Sequence, residues 1–267
     1  MRSSWHPFSS RFPAFTGTLR SVCTILMFRN TRLAHVQTMG DSAEKHRMAR
    51  LREAWTTEVR AEDLDAHMSR VGQAQANAQL VGDWLCSNPP KLGSSILFVG
   101  AGTGQMFDFL SPNILSPYRV TFTDLNSHYL KRLESRVKSK ARLRFETLVD
   151  DVERSKLPAG FELAVAVLVL EHVDWRLAVA TLCRLSTGSV FVVIQENPPE
   201  SPSAVIKGQS LVRTMAIFRE VHPMLVNRRE VVQEFAQHGF ELTYCIEKRV
   251  LYEKKMVGLG FKRKVNP

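Results

Sequence analysis

Gly100, Gly102 and Gly104 alternate within VGAGTGQ, at the end of the apolar run ILFV, and Asp124 follows twenty residues after the last glycine. Glycines in a strand-to-helix turn let the backbone approach a ligand closely. An acid at the end of the next strand accepts hydrogen bonds from ribose hydroxyls. Strand, glycine turn, helix, strand and acid together predict a nucleoside-binding half-domain. A dinucleotide turn runs G-x-G-x-x-G, and its last glycine would fall where this chain has Gln105. Two pairs of ionisable residues close later apolar runs: Asp150 and Asp151 in LVDDVE, and Glu171 and His172 in LVLEHVDW. Ligands of open parallel sheets sit beyond the carboxyl ends of the strands, which is where these residues fall. Imidazole titrates near neutrality, so His172 could take a proton from a hydroxyl or amine; its competing role is to pack and orient a loop.

Such residues converge only if a parallel sheet brings its strand ends to one edge. From Ser95 onward the chain alternates strand and helix patterns, as a sheet covered by helices on both faces requires. Strands are expected at Ile96–Val99, Arg119–Thr123, Arg142–Leu148, Leu163–Leu170 and Ser189–Gln195, with LAVAVLVL buried on both faces. Helices are expected near Gln105–Leu110, Ser127–Lys138 and Trp175–Leu185, and another opens at Asn227 and ends at Gly239. After Gly239 the alternation stops, and ELTYCIEKRVLYEKKMVGLGFKRK reads as a terminal hairpin. Upstream, Asp41 and Glu44 have capping-box spacing before a helical Met48, Leu51, Trp55, Val59 stripe. A second helix carries Leu64, Met68, Val71, Ala78, Val81 and Leu85 and stops at Ser87-Asn88-Pro89-Pro90.

The fold class is therefore α/β, a doubly wound, mostly parallel seven-stranded sheet with a C-terminal antiparallel hairpin and an N-terminal helical cap. Three segments are expected: residues 1–40 as a basic extension, 41–90 as the cap, and 91–267 as the ligand-binding domain. Apolar residues make up 44% of the 267, enough for a sizeable core. No run of eighteen apolar residues suggests a membrane-spanning helix. Cys23, Cys86, Cys183 and Cys245 are scattered without a C-x-x-C pair, which fits a reducing, cytoplasmic setting. No compact ligand cluster appears among the eight histidines, so no metal is expected. Half of the +10 net charge comes from Arg2, Arg11, Arg20, Arg29 and Arg32, in a segment with no acid. That composition suits either a disordered extension, which is preferred, or an organelle-targeting segment.

The stretch VGAGTGQ with Asp124, followed by LVDDVE and the terminal hairpin, resembles the class I S-adenosylmethionine-dependent methyltransferases. The resemblance covers residues 60–264 and implies S-adenosylmethionine as cofactor. It implies that Gly100, Ala101, Gly102 and Gly104 cradle the methionine moiety and that Asp124, with Leu125, holds the ribose. Asp151, with Asp150 as the second choice, would meet the adenine amino group, Val152 would face the ring, and Leu170 would complete the contacts. The E-H-V stretch resembles small-molecule and quinone-type enzymes and implies a small-molecule acceptor, with methyl transfer to oxygen or nitrogen. The (N/D)-P-P-(Y/F) motif of amino-methylating enzymes is missing after the fourth strand, and Asn197-Pro198-Pro199 reads as a strand exit. Residues 196–226 are expected to build the acceptor pocket, with a lid helix over Leu211–Phe218 and with Glu196, Arg213 and His222 turned to the substrate. Lys248, Arg249, Lys254, Lys255, Lys262, Arg263 and Lys264 could attract phosphates of RNA or an acidic substrate, but a charge run is more often a solvated edge and no aromatic platform accompanies them, so nucleic acid is not favoured. RNA or protein methylation, a non-catalytic cofactor-binding protein and a nicotinamide-dependent oxidoreductase remain alternatives. Oligomeric state is left open.

Overall fold

The computed structural model describes residues 44–264, apart from 140–142, 200, 202–203 and 206–208. The expected extension over residues 1–40, Asp41 of the capping box and Arg142 lie outside the described residues. Helix α1 covers residues 47–53 of the compact unit that starts at Arg47, and it continues as a π-helical turn, Ala54–Glu58. Helices α2 (Ala61–Val71) and α3 (Gln73–Ser87) follow. They were expected as one helix; the chain instead turns at Gly72, with φ 69°, which ends α2 in a left-handed cap and re-aims α3.

A seven-stranded sheet has the order β3-β2-β1-β4-β5-β7-β6. Its strands are β1 (Ser95–Val99), β2 (Arg119–Asp124), β3 (Arg144–Val149), β4 (Phe161–Val167), β5 (Ser186–Glu196), β6 (Phe240–Arg249) and β7 (Lys255–Arg263). The first five run parallel, and β7 pairs antiparallel with both β5 and β6. Val99 pairs with Thr123 and with Ala166, Val167 pairs with Val193, and Glu196 pairs with Lys255. One edge of the sheet therefore gathers the ends of β1, β2, β4 and β5 and the start of β7. The strand order reverses between β1 and β4, where a crevice for a ligand opens.

Helices α4 (Pro112–Leu115), α5 (Ser127–Lys138), α6 (Trp175–Leu185), α7 (Phe218–Val221) and α8 (Arg228–Gln237) complete the unit. The two longest of these have the bounds expected from sequence, because their signals are local. Asn126 caps α5 by accepting from His128 N at 2.9 Å, and Asp174 caps α6 by accepting from Arg176 N at 3.1 Å. Tyr129, Leu130, Leu133 and Val137 form the buried stripe of α5 at helical spacing. Helices α6 and α8 cover one sheet face; α3 and α5 cover the other. Trp84 of α3 anchors that second face, stacked on Phe191 with ring centroids 5.3 Å apart. A Cβ at Gly260 would lie 2.2 Å from the Trp84 ring, so glycine is what lets α3 sit this close to β7.

Three further expectations change. The helix after the glycine turn is a single 3-10 turn, Gln105–Asp108, with α4 behind it started by Pro112. Strand β4 stops at Val167 rather than Leu170, because Leu168 adopts φ 55°, and Leu170–His172 form a 3-10 turn. The expected lid helix over Leu211–Phe218 is a 3-10 turn, Arg213–Ile217, running into α7.

Candidate active site

At the β1 end of the crevice, Gly100, Gly102 and Gly104 all have positive φ. A Cβ would lie 2.6 Å from Val169 at Gly100 and 2.9 Å from Leu133 at Gly104, so both glycines are fixed by neighbouring side chains. A Cβ at Gly102 would approach nothing closer than 3.8 Å, and its backbone lies open to a cavity of about 260 Å³. Gly102 N donates to Asp124 Oδ2 at 2.9 Å, and Asn126 N donates to Oδ1 at 2.9 Å. Loss of water pushes the Asp124 carboxyl up to about 6, against the backbone N–H groups that favour its charge. It has no cation partner among the described residues. The loop is held from outside by Thr103, whose hydroxyl meets Asp65 of α2; Asp65 in turn takes Arg132 at 2.6 Å and Arg136 at 2.9 Å.

The segment from α1 roofs this end. Asn126 Nδ2 donates to Trp55 O at 3.0 Å, and Tyr129 Oη donates to Val59 O at 2.7 Å, which ties the π-helical turn to the ends of β2 and α5. Arg52 pairs with both Asp151 and Glu153 on the helix-free crossover after β3. Asp151 Oδ1 also accepts from Glu153 N at 3.0 Å.

At the other end stand Glu171 and His172. Glu171 is 2% exposed; Oε1 accepts from Gln195 N at 2.6 Å, and Oε2 has no partner. Burial pushes this carboxyl up to about 7. His172 packs its ring against Trp55 at 4.9 Å and Phe218 at 5.7 Å, and burial lowers it to about 4. A neutral imidazole with so low a value is a weak proton acceptor at pH 7, whereas the neighbouring Glu171 carboxyl lies near neutrality. Beyond them runs a chain of polar side chains. Gln73 Nε2 donates to Gln195 Oε1 at 3.2 Å, Gln195 Nε2 donates to Ala204 O at 2.9 Å, and Lys254 Nζ donates to the same Ala204 O at 2.8 Å.

Gly100, Ala101, Gly102, Asp124, Leu125, Asp151, Val152 and His172 all line the one cavity. Asp150 lines it too. Gly104 and Leu170 do not: Gly104 backs onto Leu133, and Leu170 is buried in the core beside α6. Glu196, Arg213 and His222 also lie off it. Glu196 is spent on Arg228 at 2.8 Å, Thr214 beside Arg213 is hydrogen-bonded to Asp63, and the His222 carbonyl accepts from Arg47. Sequence reasoning missed Arg52, His67, Gln73 and Gln195, which lack any motif and reach the cavity only through the fold, and it placed Lys254 only within the basic tail.

Among the described residues, seven buried side-chain polar atoms lack a partner. Six of them, on Trp55, His67, Asn77, Gln105, Glu171 and His172, belong to residues lining this cavity. Buried polar groups are ordinarily satisfied, so their convergence marks a place for a polar ligand. Residues 96–187 match a family model described as a methyltransferase domain. The fold is that of the class I S-adenosylmethionine-dependent methyltransferases. No curated protein sequence matches the chain. Among solved structures, magnesium protoporphyrin IX methyltransferase from Synechocystis PCC 6803 with bound SAM aligns with a TM-score of 0.53 at 13% identity, over 71% of this chain and 79% of that one. Geranyl diphosphate methyltransferase in complex with GPP and sinefungin gives 0.53 at 14%, over 71% and 77%. The cyclase SpnF gives 0.51 at 13%, over 72% and 82%. The class I fold thus also carries a protein named for a different reaction, so chemistry has to be argued from the residues of the site.

Proposed function

We propose that the protein is an S-adenosylmethionine-dependent methyltransferase acting on oxygen or nitrogen of a small-molecule acceptor. The observation that carries this reading is the set of unpartnered buried polar atoms around one cavity, at the edge where the glycine loop and Asp124 meet. The residues fit the cofactor. Asp124 is met by backbone N–H groups and no competing cation among the described residues, which leaves it acceptor capacity for ribose hydroxyls. Gly102 presents bare backbone, and Gln105 Nε2 and Asn77 Oδ1 offer an unused donor and acceptor to an amino-acid moiety. Val152 would lie against adenine, with Asp151 held at the cavity wall by Arg52. When bound, the sulfonium donor supplies an activated methyl group.

The chain's part is alignment, exclusion of water and removal of a proton. Trp55 and Phe218 pack on the ring of His172, which forms a wall, and Met215 lines the same cavity. Glu171 lies in reach of the cavity with Oε2 free, and a carboxyl pushed to about 7 is partly ionised at neutral pH. It can receive a proton from an acceptor O–H or N–H as that atom attacks.

Burial of Glu171 and Lys254 at 2% and 3% exposure supports a small ligand, since a polymer strand could not reach them. The basic hairpin gives nucleic acid little: Lys248 pairs with Asp83, Lys255 pairs with Glu247, and Arg263 donates to the carbonyls of Cys183 and Ser186. The test is transfer of labelled methyl from S-adenosylmethionine into a metabolite extract, a total RNA fraction and a protein fraction. Label is expected in the low-molecular-mass products. Label confined to RNA or protein would overturn the small-molecule reading, and none anywhere would favour a non-catalytic binding protein.

A further inference from the structure

Lys254 is 3% exposed, lines the cavity, and has no carboxylate in ion-pair reach among the described residues. Its ammonium donates to two neutral acceptors, Ala204 O and Gln209 Oε1, each at 2.8 Å. An ammonium has three protons to give, so one N–H is left over. Buried charges are ordinarily paired, because taking an ion out of water is costly without a counter-ion. Desolvation accordingly lowers Lys254 to about 8. The backbone before it is forced: Tyr252 and Glu253 have φ 63° and 58°, and Val250 N donates to Lys254 O at 2.9 Å. Consecutive non-glycine residues in the left-handed region are strained and persist where surrounding structure imposes them. Here the turn delivers a buried lysine immediately before β7.

The surroundings narrow the partner. His67 of α2 is kept neutral by burial, at about 4, with Nδ1 unpartnered, so it adds a neutral polar atom and no charge. Arg52, a second cation lining the cavity, is already neutralised by Asp151 and Glu153. One spare ammonium proton and one neutral imidazole suit a monoanion with two oxygens; a phosphate dianion would need more donors. The neighbouring wall is apolar, made of Met68, Val205, Leu211 and Met215.

We propose that the acceptor is an amphipathic carboxylate whose anionic end docks on Lys254 while its apolar body lies along Met68, Leu211 and Met215. This rests on the cavity being the acceptor pocket of a methyltransferase. Lys254 is the residue that selects for the anion, and Glu171 remains the proton acceptor.

Matched probes test it by calorimetric titration into protein with and without saturating S-adenosylhomocysteine. The pairs are 2-naphthoate against 2-naphthamide and decanoate against decanamide. At least one acid is expected to bind about tenfold to a hundredfold tighter than its amide, the size of one charge-assisted hydrogen bond. Lys254→Met is expected to abolish that preference and Lys254→Arg to restore it, which separates loss of charge from misfolding. Equal binding of acid and amide, failure of both acids to bind, or a preference that survives Lys254→Met would overturn the proposal. If the wild type does not bind S-adenosylhomocysteine, the cofactor reading fails instead, and the probe titrations without it still report the anion preference on their own.

Discussion

At the glycine-loop end of the cavity, the core of the site is backbone of the turn and one carboxylate, all lying between Gly100 and Asp124. At the β5–β7 end it is side chains from distant parts of the described chain: Gln73, Gln195, Gln209 and Lys254, linked by hydrogen bonds directly or through Ala204 O, with His67 beside the same cavity. The first end is a local device: two strands and a turn create it wherever they form, and its tolerance is set by backbone conformation. The second exists only after α2, α3, Ala204, Gln209 and the β6–β7 turn have come together on the sheet. A binding function common to many proteins can be built the first way. A function particular to one acceptor has to be built the second way, because only side chains distinguish ligands.

That contrast can be broken or sharpened by substitution. The largest effect is expected at Glu171. Its folded-state value is raised from 4.5 to about 7, so the folded state binds the proton more tightly than the unfolded chain. Ionising it therefore disfavours folding: the cost is absent below about pH 4.5, grows from there to about 7, and is complete above. Glu171→Gln keeps an oxygen for Gln195 N and should raise stability by on the order of 3 kcal/mol at pH 8, with little change at pH 4. Urea unfolding at the two pH values measures it, and a gain that is the same at both would count against a buried, unpaired carboxyl.

Next comes the backbone end. Gly100→Ala sets a methyl group 2.6 Å from Val169 at φ 60° and should cost about 1–3 kcal/mol; Gly102→Ala, with open space beside it, should cost less. Equal losses in thermal unfolding would show that strain alone, not the Val169 contact, fixes the loop. The smallest effect is expected at Arg52. Its pairs with Asp151 and Glu153 are partly exposed, and Arg52→Gln should shift stability by about 0.2–1 kcal/mol. A larger loss would mean that the crossover after β3 depends on this one side chain for its order.

The same contrast explains what could be read from the sequence. The glycine turn, Asp124, and helices α5 and α6 were legible because caps, turn glycines and apolar stripes act over a few residues. The terminal hairpin was legible because alternation stops at Gly239. Less local features were not. LAVAVLVL looked like one strand because its apolar residues continue past Val167, and only the φ of Leu168 reveals the break. His172 drew attention as the titratable ring at a strand end. Its burial between Trp55 and Phe218, and the free Oε2 on Glu171, depend on packing that no spacing records. Lys254 was grouped with a basic tail, since the turn that carries it into the cavity has no glycine to announce it.

The central claim is that the glycine-loop end is a nucleoside site with Asp124 as its ribose acceptor. Calorimetric titration of S-adenosylhomocysteine into the wild type and into Asp124→Ala tests it most directly. Saturable one-to-one binding is expected, weakened about tenfold to a hundredfold or more in Asp124→Ala, the size of lost hydrogen bonds to a charged acceptor. A folded wild type that binds no S-adenosylhomocysteine, or a variant that binds it equally well, would contradict the account.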